Sequence, residues 1–413
     1  MAATRSEGRV TPSGDGREMS TTIALRNACA FITKGATPTT YGLAWQKTGV
    51  PFLRSECVSD EGLDMRQSMY ISPEADIVLK RSQVADGDIL MTITGNVGRV
   101  VQLRGLRRAN INQHIARIRV NDRRVDPEFV YHYLSQPRIR EYYESIVTGQ
   151  AYPQISLEQV RETVVPLLPL AEQRSIASAL SDADGMIESL ERMITKKQAI
   201  KQGMMQELLT GRTRLPGFAG KWVPGTFEEL ASPVKDRTLP AQVSPDTPLV
   251  ELDQIESATG QLLARSTVTS ATSLKTRFNV GDVLFGKLRA YLRKFWIADT
   301  AGLCTTEIWA FRSKPGVSAE FIRFIVETDG FIEVASGAYG THMPRSDWGT
   351  VRRYELLIPE PQEQTAIASV LMDNDREIEL LRIRLAKTRD IKQGMMQELL
   401  TGRTRLPVTE DVS

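Results

Sequence analysis

The chain has 413 residues, 41% hydrophobic and 25% charged, with a formal net charge of +2. That length accommodates about two to three domains of ordinary globular composition, and the charge is too small by itself to announce a nucleic-acid partner. Three cysteines (Cys29, Cys57, Cys304) without a C-x-x-C pair and three scattered histidines (His114, His132, His342) support neither a disulfide framework nor a metal site, so reduced thiols are expected.

Residues 1–20 are polar and rich in Gly and Ser, which predicts a disordered extension and not a signal peptide. The longest apolar run, around Val164 to Leu170, is broken by Pro166 and Pro169 and falls far short of the ~20 residues of a membrane helix. A cytoplasmic location is the expectation.

In the first globular segment, a Gly87-Asp88 turn leads into a short strand, Asp88-Ile-Leu-Met-Thr-Ile-Thr94. His114 to Val120 then alternates with the period of a half-buried strand, and a helix follows at Pro127 to Leu134. Six arginines (Arg99, Arg104, Arg107, Arg108, Arg117, Arg119) crowd this stretch with no acid between them. A polar, aromatic, glycine-containing loop runs from Thr148 to Gln154.

From Ala171 to Thr210 the periodicity is helical. Ile176, Leu180, Ala183, Ile187, Leu190 and Ile194 make a heptad seam, which is expected to shift to Ile200, Met204 and Leu208. Such a helix is about 60 Å long, more than a small domain needs. Gly203 interrupts it, suggesting close backbone approach or a partner contact if it is not a tolerated accident. Thr210-Gly211 supplies a glycine cap.

The second half repeats this order. A Gly281-Asp282 turn enters a short strand, Asp282-Val-Leu-Phe285, Thr306 to Arg312 alternates, and Ser318 to Val326 predicts a helix. Lys275, Arg277, Lys287, Arg289, Arg293 and Lys294 face a single acid, Asp282, and Ser336 to Arg345 forms the corresponding loop. The final helix carries Ile367, Leu371, Asn374, Ile378, Leu381 and Leu385 on its seam. The seventeen residues Ile200 to Pro216 then recur unchanged at Ile391 to Pro407, displaced by 191. The same displacement pairs Glu172-Gln173 with Glu363-Gln364 and Asp182-x-Asp184 with Asp373-x-Asp375, so the chain is two tandem halves.

The predicted organisation is an α+β chain. Residues 1–20 are an extension, 21–170 and 222–361 two mixed α/β domains, 171–212 and 362–403 long helices pairing as an antiparallel coiled coil with pseudo-twofold character, 213–221 a linker and 404–413 a tail. Catalytic motifs are wanting. Gly281 to Lys287 fits the start of a phosphate-binding loop, but Leu288 stands where a hydroxyl should hold magnesium, and Val283-Leu-Phe is a β-run. No Asn-Pro-Pro-aromatic motif occurs, and Asp246 with Glu251-x-Asp253 lacks a nuclease lysine. Catalytic, cofactor-binding and metal-binding residues are therefore assigned to none.

Phe31-Ile-Thr-Lys-Gly35-Ala-Thr-Pro38, Gly87-Asp88-Ile-Leu, Pro169-Leu-Ala-Glu172-Gln173, Pro361-Gln-Glu363-Gln364 and the junction Leu208-Leu-Thr-Gly-Arg-Thr-Arg-Leu-Pro216 leading to Trp222 occur in paired order over residues 21 to 407. In this the chain resembles the specificity subunit of type I restriction-modification systems. The resemblance implies two target recognition domains, each reading half of a bipartite asymmetric DNA sequence, with the helices as a ruler between them. It implies a non-catalytic subunit that holds two copies of a methyltransferase using S-adenosylmethionine to methylate adenine at N6. In restriction-competent assemblies a translocase and nuclease using ATP and magnesium is also implied. DNA-contact candidates, chosen by position and chemistry, are Arg99, Arg104, Arg107, Arg108, Gln150, Tyr152 and Gln154 in the first domain. In the second they are Lys287, Arg289, Tyr291, Arg293, Lys294, Thr341, His342 and Arg345. Partner-binding candidates are Lys201, Gly203, Met204, Met205 and Leu208, with Lys392, Gly394, Met395, Met396 and Leu399. The alternatives are a coiled-coil scaffold joining two protein-binding domains without DNA contact, or an ATPase or nuclease resting on Lys287.

Overall fold

The structure is a computed structural model that describes residues 21–149, 151–268, 273–337 and 344–406. It comprises two compact units, with the boundaries falling after Glu188 and after Leu385. Both boundaries lie inside long helices, so each unit combines one mixed α/β domain with parts of both.

In the first unit, β1 (Thr22–Ala24) pairs antiparallel with β10 (Val164–Pro166). One sheet has the order β2 (Cys29–Lys34), β9 (Ile115–Val120), β6 (Ile89–Thr92), β7 (Val100–Gln102). A second runs β4 (Met69–Ile71), β3 (Val50–Leu53), β8 (Ala109–Ile111), β5 (Gln83–Val84). Within it β3 and β8 are parallel. The unit's helices include α1 (Pro127–Leu134), α2 (Pro137–Ser145) and α3 (Leu157–Glu162). Gly87 turns left-handed at φ +81° to enter β6. The following Asp88 is fully buried, accepts the Ala85 N–H at 2.9 Å and is paired with Arg117 and Arg119 at 2.8 and 2.5 Å. A buried carboxylate needs such company, because an unpaired one is strongly disfavoured.

The second unit repeats this plan. β11 (Val223–Thr226) pairs with β21 (Glu355–Ile358), and one sheet is β12 (Ala231–Pro233), β20 (Ile308–Ser313), β17 (Val283–Gly286), β18 (Phe295–Ile297). The other is β13 (Arg237–Thr238), β16 (Lys275–Phe278), β19 (Gly302–Cys304), β14 (Pro248–Val250), β15 (Ser266–Thr267), in which β19 and β14 are again parallel. Asp282 follows the left-handed Gly281, accepts the Asn279 N–H at 2.7 Å and takes Arg312 at 2.6 Å, reproducing Asp88. Helices α5 (Ala319–Glu327) and α6 (Asp329–Ser336) follow, and the core is aromatic: Phe227 lies 5.1 Å from Phe311 and 4.8 Å from Phe331. Each such ring pair adds about 1 kcal/mol beyond the area it buries.

The long helices are α4 (Leu170–Leu208) and α7 (Pro361–Leu399), each 39 residues. Gln173 and Gln364 fasten their first turns. The Gln173 side chain accepts the Asp126 N–H at 2.9 Å and donates to the Arg124 and Leu168 carbonyls, while Gln364 accepts the Ser318 N–H and donates to the Pro359 carbonyl. Each thereby also supports the start of the domain helix, α1 or α5. Beside it, Glu363 receives Arg214 in a two-pronged contact at 2.6 and 2.7 Å and the Trp222 indole N–H at 2.9 Å.

Within each unit the helices run antiparallel. In the first, Ile176, Ala177 and Leu180 share a core with Met396, Leu399 and Leu400, and Asp184 binds Lys392 at 2.5 Å. In the second, Met205, Leu208 and Leu209 meet Ile367, Ala368 and Leu371, while Lys201 binds Asp375 at 2.7 Å. Asp184 and Asp375, like Lys201 and Lys392, are repeat equivalents, so one crossing contact is used twice. Lys201 overturns the expected shift of the seam: it is 7% exposed, whereas Ile200 is 41% exposed. Asp375 and Glu327 neutralise its ammonium, at 2.7 and 2.6 Å, and its position over the Phe324 ring completes the seat. Arg323 closes a four-membered network by pairing with the same two acids. Helix ends match expectation, with Gly211 and Gly402 both at φ +71°.

Candidate nucleic-acid interface

The first arginine cluster is largely spent on the fold. Arg99 reaches Asp60 at 3.3 Å, Arg104 pairs with Glu128, Arg108 with the buried Asp76, and Arg117 and Arg119 with Asp88. Arg107 alone of the six has no acidic partner among the described residues. These acids lie elsewhere along the chain, so a local scan of charge does not see them. The loop after α2 is closed by reciprocal backbone hydrogen bonds between Thr148 and Gln154, and the Gly95 N–H donates to the Pro153 carbonyl at 2.9 Å. This holds Tyr152, 62% exposed, with its ring edge-on to His114 at 6.2 Å. Gln113 contacts His114 at 3.0 Å, and Gln154 is exposed. Together they make a neutral aromatic and amide surface at the end of β6. Gln113 and His114 were absent from the sequence-derived candidates. Gln150 lies outside the described residues.

In the second unit the corresponding edge is cationic. Lys287 follows β17 directly, half-buried with its ammonium 5.8 Å from the Trp309 ring centre. Burial, aided by the neighbouring charges of Arg237 and Arg345, lowers its pKa from the ordinary lysine value. The Ser346 N–H donates to the Lys287 carbonyl at 2.8 Å and the Arg289 N–H to the Pro344 carbonyl at 2.9 Å, bringing Arg345 alongside. A small cavity of about 180 Å³ opens here, with Lys235, Arg237, Lys287, Trp309 and Trp348 among its walls. Lys235, Arg237 and Trp309 come from strands and a turn, and Trp348 from the start of a short helix, none of which carries a charge run, which is why sequence reading passed them over.

Two candidates are structural. Arg293 pairs with Asp329 and donates to the Glu327 carbonyl at 3.1 Å, and the Lys294 ammonium donates to the Leu252 carbonyl at 2.8 Å. Arg289 and Tyr291 stay exposed, Tyr291 by 53%. Arg289 and Arg293 are both left-handed, at φ +53° and +52°. For a residue with a Cβ that conformation costs about 1 kcal/mol or more. Thr341 and His342 lie outside the described residues. The P-loop-like Gly281 to Lys287 stretch is mostly β17, whose Phe285 is fully buried, so it cannot wrap a phosphate as that motif does.

On the helices, Lys201, Met205, Leu208, Met396 and Leu399 are buried within the chain, and Lys392 is taken by Asp184. Gly203 and Gly394 are exposed, and a Cβ added at either would meet nothing within 4 Å, so no backbone of this chain approaches them. Met204 and Met395 are half-buried. What remains outward is the same in both copies: Gln202, Gly203 and Gln206, and Gln393, Gly394 and Gln397. The second unit also carries a groove of about 820 Å³ where Lys201, Met205, Arg293 and Asp329 meet Glu379 and Arg382.

Residues 23–202 match the family model for the type I restriction modification DNA specificity domain. The specificity subunit of the Escherichia coli type I restriction enzyme EcoBI is 28% identical over 163 residues, 40% of this chain and 34% of that one. That of EcoDI, also from E. coli, is 24% identical over 277 residues, 59% of this chain and 61% of that one. Over residues 23–202 this chain is similar to the DNA specificity domain of type I specificity subunits. Its matches span less than two thirds of either relative. The fold is similar over most of the chain: the type I system S subunit from M. genitalium matches with a TM-score of 0.61 at 13% identity, covering 94% of this chain and 99% of that one. Among the described residues no helix is long and apolar enough to cross a membrane.

Proposed function

We propose that this chain is the DNA-recognition subunit of a type I restriction-modification complex, each recognition domain reading one half of a bipartite, asymmetric target and the paired helices setting the spacing. What supports the reading best is the contrast inside the repeat. The helices are duplicated to the residue over Ile200 to Pro216 and Ile391 to Pro407, while the edges beyond β6 and β17 share a backbone plan and differ in chemistry. Duplicated helix faces suit two copies of one partner, and divergent edges suit two different half-sites. The partner is a methyltransferase subunit using S-adenosylmethionine to methylate adenine at N6, joined in restriction-competent assemblies by a translocase and nuclease using ATP and magnesium. The subunit itself performs no catalysis and works in the cytoplasm.

Mapping N6-methyladenine across the genome of the source cell with and without this gene tests the proposal. Loss of one asymmetric two-part motif on deletion is expected. Persistence of every motif while the methyltransferase is present and active would replace DNA recognition by a scaffold role.

A further inference from the structure

The strand registers align the two domains residue by residue at this edge. Ile118 lies opposite Ile89 as Phe311 lies opposite Val283, which sets Ile93 against Lys287 and Gly95 against Arg289. From the other side, Val100 opposite Met91 matches Phe295 opposite Phe285, setting Gly98 against Arg293. The bridges Thr94 to Gln154 and Leu288 to Arg345 set Gln154 against Arg345. The turn therefore has two left-handed positions in each domain: Gly95 and Gly98, at φ +77° and +82°, in the first, and Arg289 and Arg293 in the second.

Glycine is the residue such a backbone favours, and the first domain uses it twice. Arg293 has a structural reason to stand there, its pairing with Asp329. Arg289 has none: it is exposed, and no acid pairs with it among the described residues. Lys235, Arg237, Lys287 and Arg345 are likewise without acidic partners among the described residues, and the cavity between Lys235, Arg237 and Lys287 is floored by Trp309 and Trp348. Uncompensated cations converging on one edge, one of them in an unfavourable backbone conformation, make a seat for an anion.

Resting on the reading of this chain as a DNA-recognition subunit, we propose that Lys287, Arg289 and Arg345, with Arg237 and Lys235, form a phosphate seat that anchors the second recognition domain to the DNA backbone, and that the first domain has no such seat at the equivalent place. There Ile93, Gly95 and Gln154 replace the cations, and Gln113, His114 and Tyr152 present neutral groups. The lowered pKa of Lys287 accords with a site whose anion is supplied from outside. The two half-sites are thus held differently, the second through an ionic backbone clamp and the first without one at this edge.

The test uses the full chain assembled with its methyltransferase subunits, titrated by fluorescence anisotropy against a duplex carrying the mapped methylation motif and a scrambled duplex, over a range of salt. Arg289→Gly, Lys287→Gln and Arg345→Gln are each expected to weaken both duplexes about tenfold at low salt and to flatten the plot of log affinity against log salt by about one unit. Arg289→Gly relieves the left-handed backbone, so its melting temperature should not fall, which separates lost binding from lost folding. Unchanged affinity of all three variants, with wild-type binding intact, would overturn the seat alone. Loss confined to one base position with an unchanged salt slope would make these residues base readers and also overturn it. A wild-type complex that binds neither duplex would remove the recognition reading itself.

Discussion

Lys201 and Lys392 are the same residue of the repeat, and their surroundings give them different weights. Lys201 is 7% exposed and sits between Asp375 and Glu327, with Arg323 on the same acids. Lys392 has one acid, Asp184, and its side chain is 20% exposed. Removing one member of a buried ionic network leaves uncompensated charge at a cost of about 3 kcal/mol, against about 1 kcal/mol at a wetter pair. Urea unfolding of Lys201→Ala and Lys392→Ala should show this ordering, and equal losses would contradict the network. His132 supplies a pH test. It is fully buried with Nε2 2.9 Å from the Ser181 hydroxyl, and burial, then the charges of Lys392 and Arg104, lower its pKa to about 3. The unfolded chain takes up a proton near pH 6.5 and the folded chain does not. Stability attributable to this group is therefore intact above that pH and falls by about 1.4 kcal/mol per pH unit below it, until the folded value is reached. His132→Gln should remove this share of the difference in unfolding free energy between pH 6.5 and 5.5. An identical pH dependence in the variant would show that the imidazole titrates alike in the folded and unfolded chain.

At the level of elements, regular periodicity was readable and its polar exceptions were not. The Gly-Asp turns, β6, β17, α1 and both glycine caps lie where spacing and turn chemistry put them, because each is decided by neighbours in sequence. The seam failed at Lys201, where a rule that seeks apolar residues selected Ile200. Only the distant Glu327 and Asp375 make burial of a lysine affordable. For the same reason the arginine run from Arg99 to Arg119 read as a ligand surface, while Asp60, Asp76, Asp88 and Glu128 occupy most of it. Asn374 is an exception that was legible. It lies on the α7 seam, 8% exposed, and its carbonyl oxygen has no hydrogen-bond partner. Its repeat equivalent on α4 is Ala183. Asn374→Leu should stabilise the chain by about 1 kcal/mol in urea unfolding, since a polar residue on a seam fixes register at a cost in stability. A loss of stability would mean that the amide has a partner, such as a bound water.

For the molecule as a whole, the repeat was the clearest signal, and what it left unread was the chemistry of the two edges. The two edges assemble from a strand end, a turn and a loop that are far apart in sequence, so Lys235, Arg237, Gln113 and His114 carried no local mark. The helices, by contrast, permit a quantitative test of the ruler idea. Both α4 and α7 pass continuously from one unit to the other, at Glu188 to Ser189 and at Leu385 to Ala386. Seven residues inserted at both junctions preserve the heptad phase of each seam and lengthen each helix by about 10 Å, at ~1.5 Å per residue. If the helices set the distance between half-sites, the methylated motif should keep both half-sites and gain about three base pairs of spacer, at ~3.4 Å per step. Insertion in one helix alone breaks the pairing between Asp and Lys repeats and should reduce assembly instead. Sequencing of N6-methyladenine in cells carrying the doubly extended chain gives the answer directly. Unchanged spacing with methylation intact would reject the ruler, and altered half-sites with the original spacing would place base recognition in the helices rather than at the edges of the two domains.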